Sequence, residues 1–180
     1  MAKDYYFQPE APDSVLSAEQ VLTLVRQHLP SAQAVTAVDE TGGEARTYYI
    51  DDAYILKTQR PHKLRPRTSL KKEVVFLQQL EGVEGLNVPR VIGYGHPEPL
   101  IEYTLMTRMP GIDFRNAILT GEPRQQALMG LGRMLRRVHG IPQEKLLDSN
   151  LFFGDQSGVD IRWRMGSVFD DLAELVHRDG

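Results

Sequence analysis

The apolar positions change period twice along the chain. Val21, Leu22, Leu24, Val25 and Leu29 fall at helical spacing. Ser17-Ala18-Glu19-Gln20 precedes them as a capping-box pattern and Pro30 follows, so a helix is expected between. From Ala34 the period becomes two. Residues 34–38, 47–50 and 54–57 read as short strands joined by a polar turn over 39–44 and a tight turn at Asp51-Asp52, an antiparallel meander. Helical spacing returns over about 69–80, with Leu70, Val74, Leu77 and Leu80 as the stripe and Gly82 just beyond. Residues 88–94 and 100–106 read as a fourth and fifth strand, with 95–99 as the hairpin between them. Pro110-Gly111 then breaks the chain. The remainder reads as helical: 114–119 briefly, 123–139 closed by Gly140 and Pro142, and 165–177. Residues 1–16, with Pro9 and Pro12, read as an arm. Strands in one block and helices in the next imply an α+β chain with two lobes.

Composition narrows the classes. The 180 residues are 41% hydrophobic and 25% charged, an ordinary globular balance. Cysteine is absent, which excludes a disulfide scaffold, a Cys-ligated metal site and a cysteine nucleophile. Lys and Arg number 21 against 24 Asp and Glu, for a net charge of −3, which argues against a globally basic nucleic-acid binder. No apolar run approaches the roughly 20 residues of a membrane span. The first residues lack the apolar core of a secretory signal, so a cytoplasmic protein is expected.

Candidate chemistry begins at Lys57. It ends an alternating strand and shares a face with Ile55, the face expected to turn toward the core side. A lysine turned toward a cleft needs an anion, whether carboxylate or phosphate; an edge lysine reaching for water is the plainer alternative. Glu73 lies inside the apolar stripe of the following helix, three residues after Leu70 and four before Leu77. A carboxylate there calls for a cation. Lys57 suits it, and Arg46 and Arg90 remain open. Glu98 and Glu102, in or beside a hairpin, are expected to be solvated.

Two backbone features stand beside this pair. Thr41-Gly42-Gly43 precedes a strand, and adjacent glycines let the backbone approach a ligand and turn amides toward phosphate oxygens. A plain Gly-Gly hairpin explains the same residues. No Lys-Ser/Thr and no helix follows them, so neither the Walker pattern nor the dinucleotide fingerprint is met. Met106-Thr107-Arg108-Met109-Pro110-Gly111 runs from a strand into a break, which leaves backbone groups for an adenine edge, or serves as a simple linker. The dense basic run His62, Lys63, Arg65, Arg67, Lys71 and Lys72 fits phosphate, an acidic partner or RNA, or else a solvated loop. His28, His96 and His139 lack metal-ligand spacing.

Together these elements resemble the N-terminal lobe of the protein-kinase-like fold, in particular the aminoglycoside phosphotransferase and choline-kinase group of small-molecule kinases. The likeness rests on Thr41-Gly42-Gly43, Tyr54-Ile55-Leu56-Lys57, Lys72-Glu73, Val88-Pro89-Arg90-Val91, the stretch from Leu105 to Gly111, and Leu131-Gly132 through His139. It covers about residues 31–142. The resemblance implies an α+β chain: an arm and helix over 1–30, a nucleotide-binding lobe of five antiparallel strands plus one helix over 31–109, and a hinge with the first helices of a helical lobe over 110–180.

It further implies ATP or GTP as phosphate donor, with Mg²⁺, and a hydroxyl of a small molecule as acceptor. An aminoglycoside, choline, homoserine, a sugar or a macrolide all remain open. Lys57 resembles the lysine on the α/β-phosphates and Glu73 the glutamate that orients it. Thr41, Gly42 and Gly43 resemble the loop over the phosphates, and Met106 the gatekeeper. The Thr107 carbonyl and Met109 amide would grip adenine, with Val38, Ile55, Val88 and Met106 lining the purine pocket.

The family's catalytic loop, His-Gly-Asp…Asn followed by Asp, has one counterpart here, His177-Arg178-Asp179-Gly180. A polar helix end explains that tetrapeptide as well, so Asp179 stands as the sole catalytic candidate. The expectation is a chain cut before its catalytic loop and inactive alone, with metal ligands outside it. Exposed apolar surface on 123–139 and 165–177 and self-association are expected with that. The alternative is a non-catalytic α+β binding module or pseudokinase fragment that uses the basic run 60–72.

Overall fold

The computed structural model describes residues 10–63, 69–112, 117–142, 144–147 and 150–152. Five strands, β1 (Val35–Asp39), β2 (Ala45–Ile50), β3 (Tyr54–Gln59), β4 (Val91–Glu98) and β5 (Ile101–Thr107), form one sheet in the order β1-β2-β3-β5-β4. All neighbours are antiparallel. The helices are α1 (Ala18–Arg26), α2 (Leu70–Leu80), α3 (Gly121–His139) and the short α4 (Glu144–Leu147). Single 3-10 turns at Pro61–Lys63 and Asn150–Phe152 were not legible in the pattern. The chain divides into two compact units, Met1–Pro142 and Gln143–Gly180, and the sheet belongs to the first. No helix among the described residues is long and apolar enough to cross a membrane.

The local signals at the start act as their chemistry predicts. Ser17 caps α1, accepting from the Gln20 amide while the Gln20 side chain accepts from the Ser17 amide. Asp51 and Asp52 take positive φ of 48° and 57°, the twist a two-residue hairpin needs. The Asp51 carboxylate offsets that strain by accepting from the amides of Gln33 and Ala34.

The second hairpin differs from its sequence reading. β4 starts at Val91 and runs on to Glu98, so residues 95–98, expected in the turn, are strand. Pro97 is tolerated because β4 is an edge strand, and the register is irregular between Gly95 and Glu98. β5 takes the inner place beside β3 because Glu102 through Met106 are buried on both faces. In α3, Pro123 is the third residue rather than the first. Of the helix expected over 114–119, residues 117–119 are not helical and 114–116 lie outside the described residues, as does the helix expected over 165–177.

The two faces of the sheet are unequal. Along β2, Arg46, Tyr48 and Ile50 are buried while Ala45, Thr47 and Tyr49 are half-exposed. Tyr48 pairs with Leu56 and Leu56 with Leu105, and onto this face pack Leu16, Ala32 and the Val21 and Val25 of α1. The other face carries Tyr49, Ile55 and Met106 in one row, and Thr47, Lys57 and Thr104 in the next. There α2 contacts β3, β4 and β5, leaving the β1–β2 side open. One face is a closed core; the other is half a cleft. In α3, Leu128, Met129, Leu131, Met134 and Leu135 are exposed.

Close packing at β4 makes a glycine essential. A Cβ on Gly95 would stand 2.5 Å from the Tyr103 ring, whose hydroxyl is tied to His28 and Gln27. Gly95→Ala is therefore expected to lose about 1–3 kcal/mol. The measurement is a lowered urea midpoint at unchanged m-value.

Candidate functional site

Lys57 lies on the half-open face between Thr47 and Thr104. Its Nζ meets Oε1 of Glu73 at 2.6 Å, with 28% and 32% of the two side chains exposed. Of the three cations open to Glu73, Lys57 is the partner. Alternation sends Arg46 to the opposite face, and Arg90 is exposed.

The helix that carries Glu73 is fixed at its first turn. Ser69 Oγ accepts from the Lys72 amide at 3.2 Å. Glu102, from β5, accepts from the amides of Leu70 at 3.4 Å and Lys71 at 2.9 Å, and from the Tyr94 hydroxyl at 2.9 Å. Glu102 is only 2% exposed, so its expected solvation is corrected; Glu98 is the exposed one of the two. The positive end of α2 compensates the buried charge. The missed signal was parity: Glu102 shares its strand face with Thr104 and Met106, and so faces α2.

The β1–β2 loop leads into the same region through Glu44 and Ala45. Thr41 donates through its amide (2.8 Å) and its hydroxyl (2.7 Å) to Asp39 Oδ1, which holds that carboxyl below the ordinary aspartate range. A Cβ on Gly42 would lie 2.8 Å from the Ala45 carbonyl oxygen, so this position requires glycine; Gly43 has open space around it. A pocket of about 280 Å³ lies beside the pair, lined by Glu44 and Ala45 of the loop exit, Lys57 and Gln59 of β3, and Ser69 and Glu73 at α2. Gln59 Nε2 is buried there without a hydrogen-bond partner among the described residues.

Behind the loop lies a network that sequence reasoning missed. Arg46, 2% exposed, donates to Glu40 Oε1 at 2.7 Å, to the Ser14 carbonyl at 3.1 Å and to both oxygens of Asp13 at 2.9 and 3.2 Å. Arg60 donates to the same Asp13 at 2.8 Å. Burial works against the Asp13 charge, but the bonds from Arg46 and Arg60 outweigh it and hold the carboxyl below its ordinary value. Burial likewise opposes the Arg46 charge, and its bonds to Asp13 and Glu40 raise its affinity for the proton. Nothing in an arm with scattered prolines marks one aspartate for this role. Arg60, counted in the basic run 60–72, is thus withdrawn from any exposed patch.

At the far end of the sheet, Met106 is buried next to Ile55 in register. The Thr107 amide donates to the Arg90 carbonyl at 3.0 Å, and the Arg90 amide bonds the Thr107 hydroxyl at 2.9 Å instead of its carbonyl. The Met109 amide has no partner among the described residues. Met109, Pro110 and Gly111, with Asp52 and Arg108, line a second recess of about 240 Å³. Ile55 and Met106 share the Lys57 face; Val38 pairs with Tyr48 on the opposite face, and Ala37, opposite Tyr49, takes the place expected of Val38. Val88 is half-buried just before β4. Asp179 lies outside the described residues, and among those residues no cluster of three or more His, Asp or Glu could hold a metal.

A five-stranded antiparallel sheet with a strand lysine bonded to a glutamate on the next helix is the α+β lobe of the protein-kinase-like fold. The sequence profile of the phosphotransferase enzyme family, the aminoglycoside phosphotransferase-like group, matches residues 35–177, and the chain belongs to that family. Similar solved structures include a GDP complex of a mutant aminoglycoside 2'-phosphotransferase-IIIa, with TM-score 0.60 and 15% identity over 88% of this chain and 53% of that one. The GDP and kanamycin complex of APH(2")-IIIa aligns at TM-score 0.55 and 15% identity, over 69% of this chain and 42% of that one. The streptomycin–ATP complex of APH(2")-IIa aligns at TM-score 0.52 and 17% identity, over 72% and 41%. These likenesses establish the fold, and the chain spans about half the length of those structures or less. A search of curated proteins found no match.

Two outcomes follow. Glu102→Ala strips three donors of their acceptor and is expected to cost about 2–4 kcal/mol, read as a lowered denaturant midpoint. Asp13 titrates below its ordinary 3.8 when folded, so its stabilisation is complete above that value and is lost as pH falls through the lowered one. Urea midpoints from about pH 7 down to about pH 3 should fall on the acid side, and less steeply in Asp13→Asn.

Proposed function

We propose that the strand-rich lobe binds ATP or GTP as the phosphate donor for transfer to a hydroxyl group of a small molecule. The single observation that carries this reading is the Lys57–Glu73 pair at 2.6 Å beside the pocket that Glu44 and Ala45, just after the glycines, help to line. A lysine neutralised by one carboxylate and still partly exposed can accept a second anion on its open side, and phosphate oxygens suit it. In this reading Glu73 orients the lysine, and Thr41, Gly42 and Gly43 cover the phosphates. The Thr107 carbonyl and Met109 amide take the purine edge, and Ile55 and Met106 supply its apolar floor.

Support comes from family membership and from the nucleotides named for the similar structures, GDP and ATP. Those two enzymes are named with different aminoglycosides, kanamycin and streptomycin, so the acceptor proposed here goes no further than a hydroxyl-bearing small molecule. Mg²⁺, when bound, would neutralise charge developing on the phosphates. No described residue is assigned to it, and Asp179 stays the sequence candidate for receiving the acceptor proton. The burial of Arg60 weakens the alternative of a docking module built on the basic run 60–72.

Thermal unfolding of the chain in rising ATP or GTP, with and without Mg²⁺, tests the reading. A nucleotide at about 100 times its Kd should stabilise the fold by about 2.7 kcal/mol. Lys57→Ala should abolish that shift while leaving nucleotide-free unfolding nearly unchanged. A wild-type chain that shifts with neither nucleotide at millimolar concentration, or a Lys57→Ala variant that shifts equally, overturns the proposal.

A further inference from the structure

The loop between β1 and β2 is held from behind by side chains that never face the pocket. Arg60 Nη1 donates to the carbonyls of Glu40 and Gly42, at 3.4 Å each, and its amide donates to the Glu44 carbonyl at 2.9 Å. Arg46 Nε holds the Glu40 carboxylate at 2.7 Å. Both guanidiniums converge on Asp13 of the arm, which accepts from Arg46 with both oxygens and from Arg60 with one. Two buried guanidiniums side by side repel one another, so their placement depends on that carboxylate. The arm segment is itself anchored: Leu16 is in the core, and its amide donates to the Tyr48 hydroxyl at 3.2 Å.

The direction of these bonds matters. In a trans peptide the carbonyl and the next amide point to opposite sides. With the Gly42 carbonyl turned to Arg60, the Gly43 amide points away from Arg60. Arg46 pairs with Thr58, and Arg60 follows Thr58 by two residues, so both stand on the face opposite Lys57. The Gly43 amide is therefore turned away from the side that holds Arg46 and Arg60, and it has no partner among the described residues.

We infer that Asp13, through Arg46 and Arg60, positions the glycine loop so that the Gly43 amide donates to a nucleotide phosphate. This rests on the nucleotide reading above and adds three positioning residues to it. None of them touches the ligand. The arm thereby becomes part of the phosphate site although it lies on the far side of the sheet.

The test compares wild type, Asp13→Ala and the conservative Asp13→Glu in the full chain, by titration with ATP and with adenosine (GTP and guanosine if the wild type prefers them). NMR of the Gly43 amide is followed alongside. Asp13→Ala should weaken ATP binding about tenfold, the worth of one charge-assisted hydrogen bond, and leave adenosine affinity unchanged. Its Gly43 amide signal should no longer respond to ATP, and Asp13→Glu should recover part of both effects. Unchanged ATP affinity in Asp13→Ala, or equal losses for ATP and adenosine, overturns the inference while the nucleotide reading stands. Wild-type chain that binds neither nucleotide overturns both. Should Asp13→Ala fail to fold, Glu40→Gln tests the same link, since it loosens the Arg46 hold on the loop without unpairing the two guanidiniums from Asp13. It should give a smaller loss with the same ATP selectivity, and no selectivity there counts against the inference.

Discussion

A cation in the middle strand of a sheet and an anion on the helix beside it can meet only if both elements are fixed. Lys57 and Glu73 meet at 2.6 Å, and much of the lobe is arranged to keep them there. Thr47 and Thr104 flank the lysine in register, and Ser69 and Glu102 fix the first turn of α2. The pair itself adds little to stability, since both side chains are about one-third exposed and water screens them. In the nucleotide reading proposed above, its role is electrostatic preparation: the glutamate sets where the ammonium sits, and the ammonium keeps an open side for a second anion.

The cost of that arrangement is carried by the opposite face. There the sheet is closed by α1 and the arm, with Tyr48, Leu56 and Leu105 buried against Val21 and Val25. A rigid, filled face lets the other remain half-open without loss of the fold. The same closed face also buries Arg46, which would be strongly destabilising alone and is acceptable because Asp13, Glu40 and the Ser14 carbonyl share its donors. Stability and site geometry are thus joined through one buried guanidinium: it anchors the arm and the loop together.

Local chemistry was legible where neighbours in the chain decide the outcome. The Ser17 capping box, the Asp51-Asp52 turn, the alternation of β2 and the stripe of α2 all stand as the sequence implied. That Lys57 shares a face with Ile55 followed from the same alternation, and Glu73 from its place in the stripe, but the closed core lies on the Leu56 face and not on the Lys57 face. Residues whose partners are distant in the chain were misread or missed. Glu102 reads as solvated because its hairpin is local, whereas its contact with the start of α2, 31 and 32 residues away, depends on how the sheet and helix pack. Val38, which the resemblance puts in the purine pocket, pairs with Tyr48 on the other face because the register irregularity between Val35 and Ala37 shifts the parity of β1. Asp13 carried no local signal at all.

By itself, then, the sequence determined the order of the five strands and of α1, α2 and α3, and it marked Lys57 and Glu73 as charges in need of partners. Periodicity, capping and turn chemistry act over a few residues, and the family phrases preserve their order. Only the tertiary structure decided that β5 and not β4 lies beside β3, that Glu73 takes Lys57 rather than Arg46, that a buried Glu102 sets the start of α2, and that an aspartate of the arm reaches the glycine loop. Each of these depends on which faces are closed to water. Burial is a property of the assembled sheet and helices, since it makes an unpaired charge or amide costly enough to select one partner among several that the chain offers.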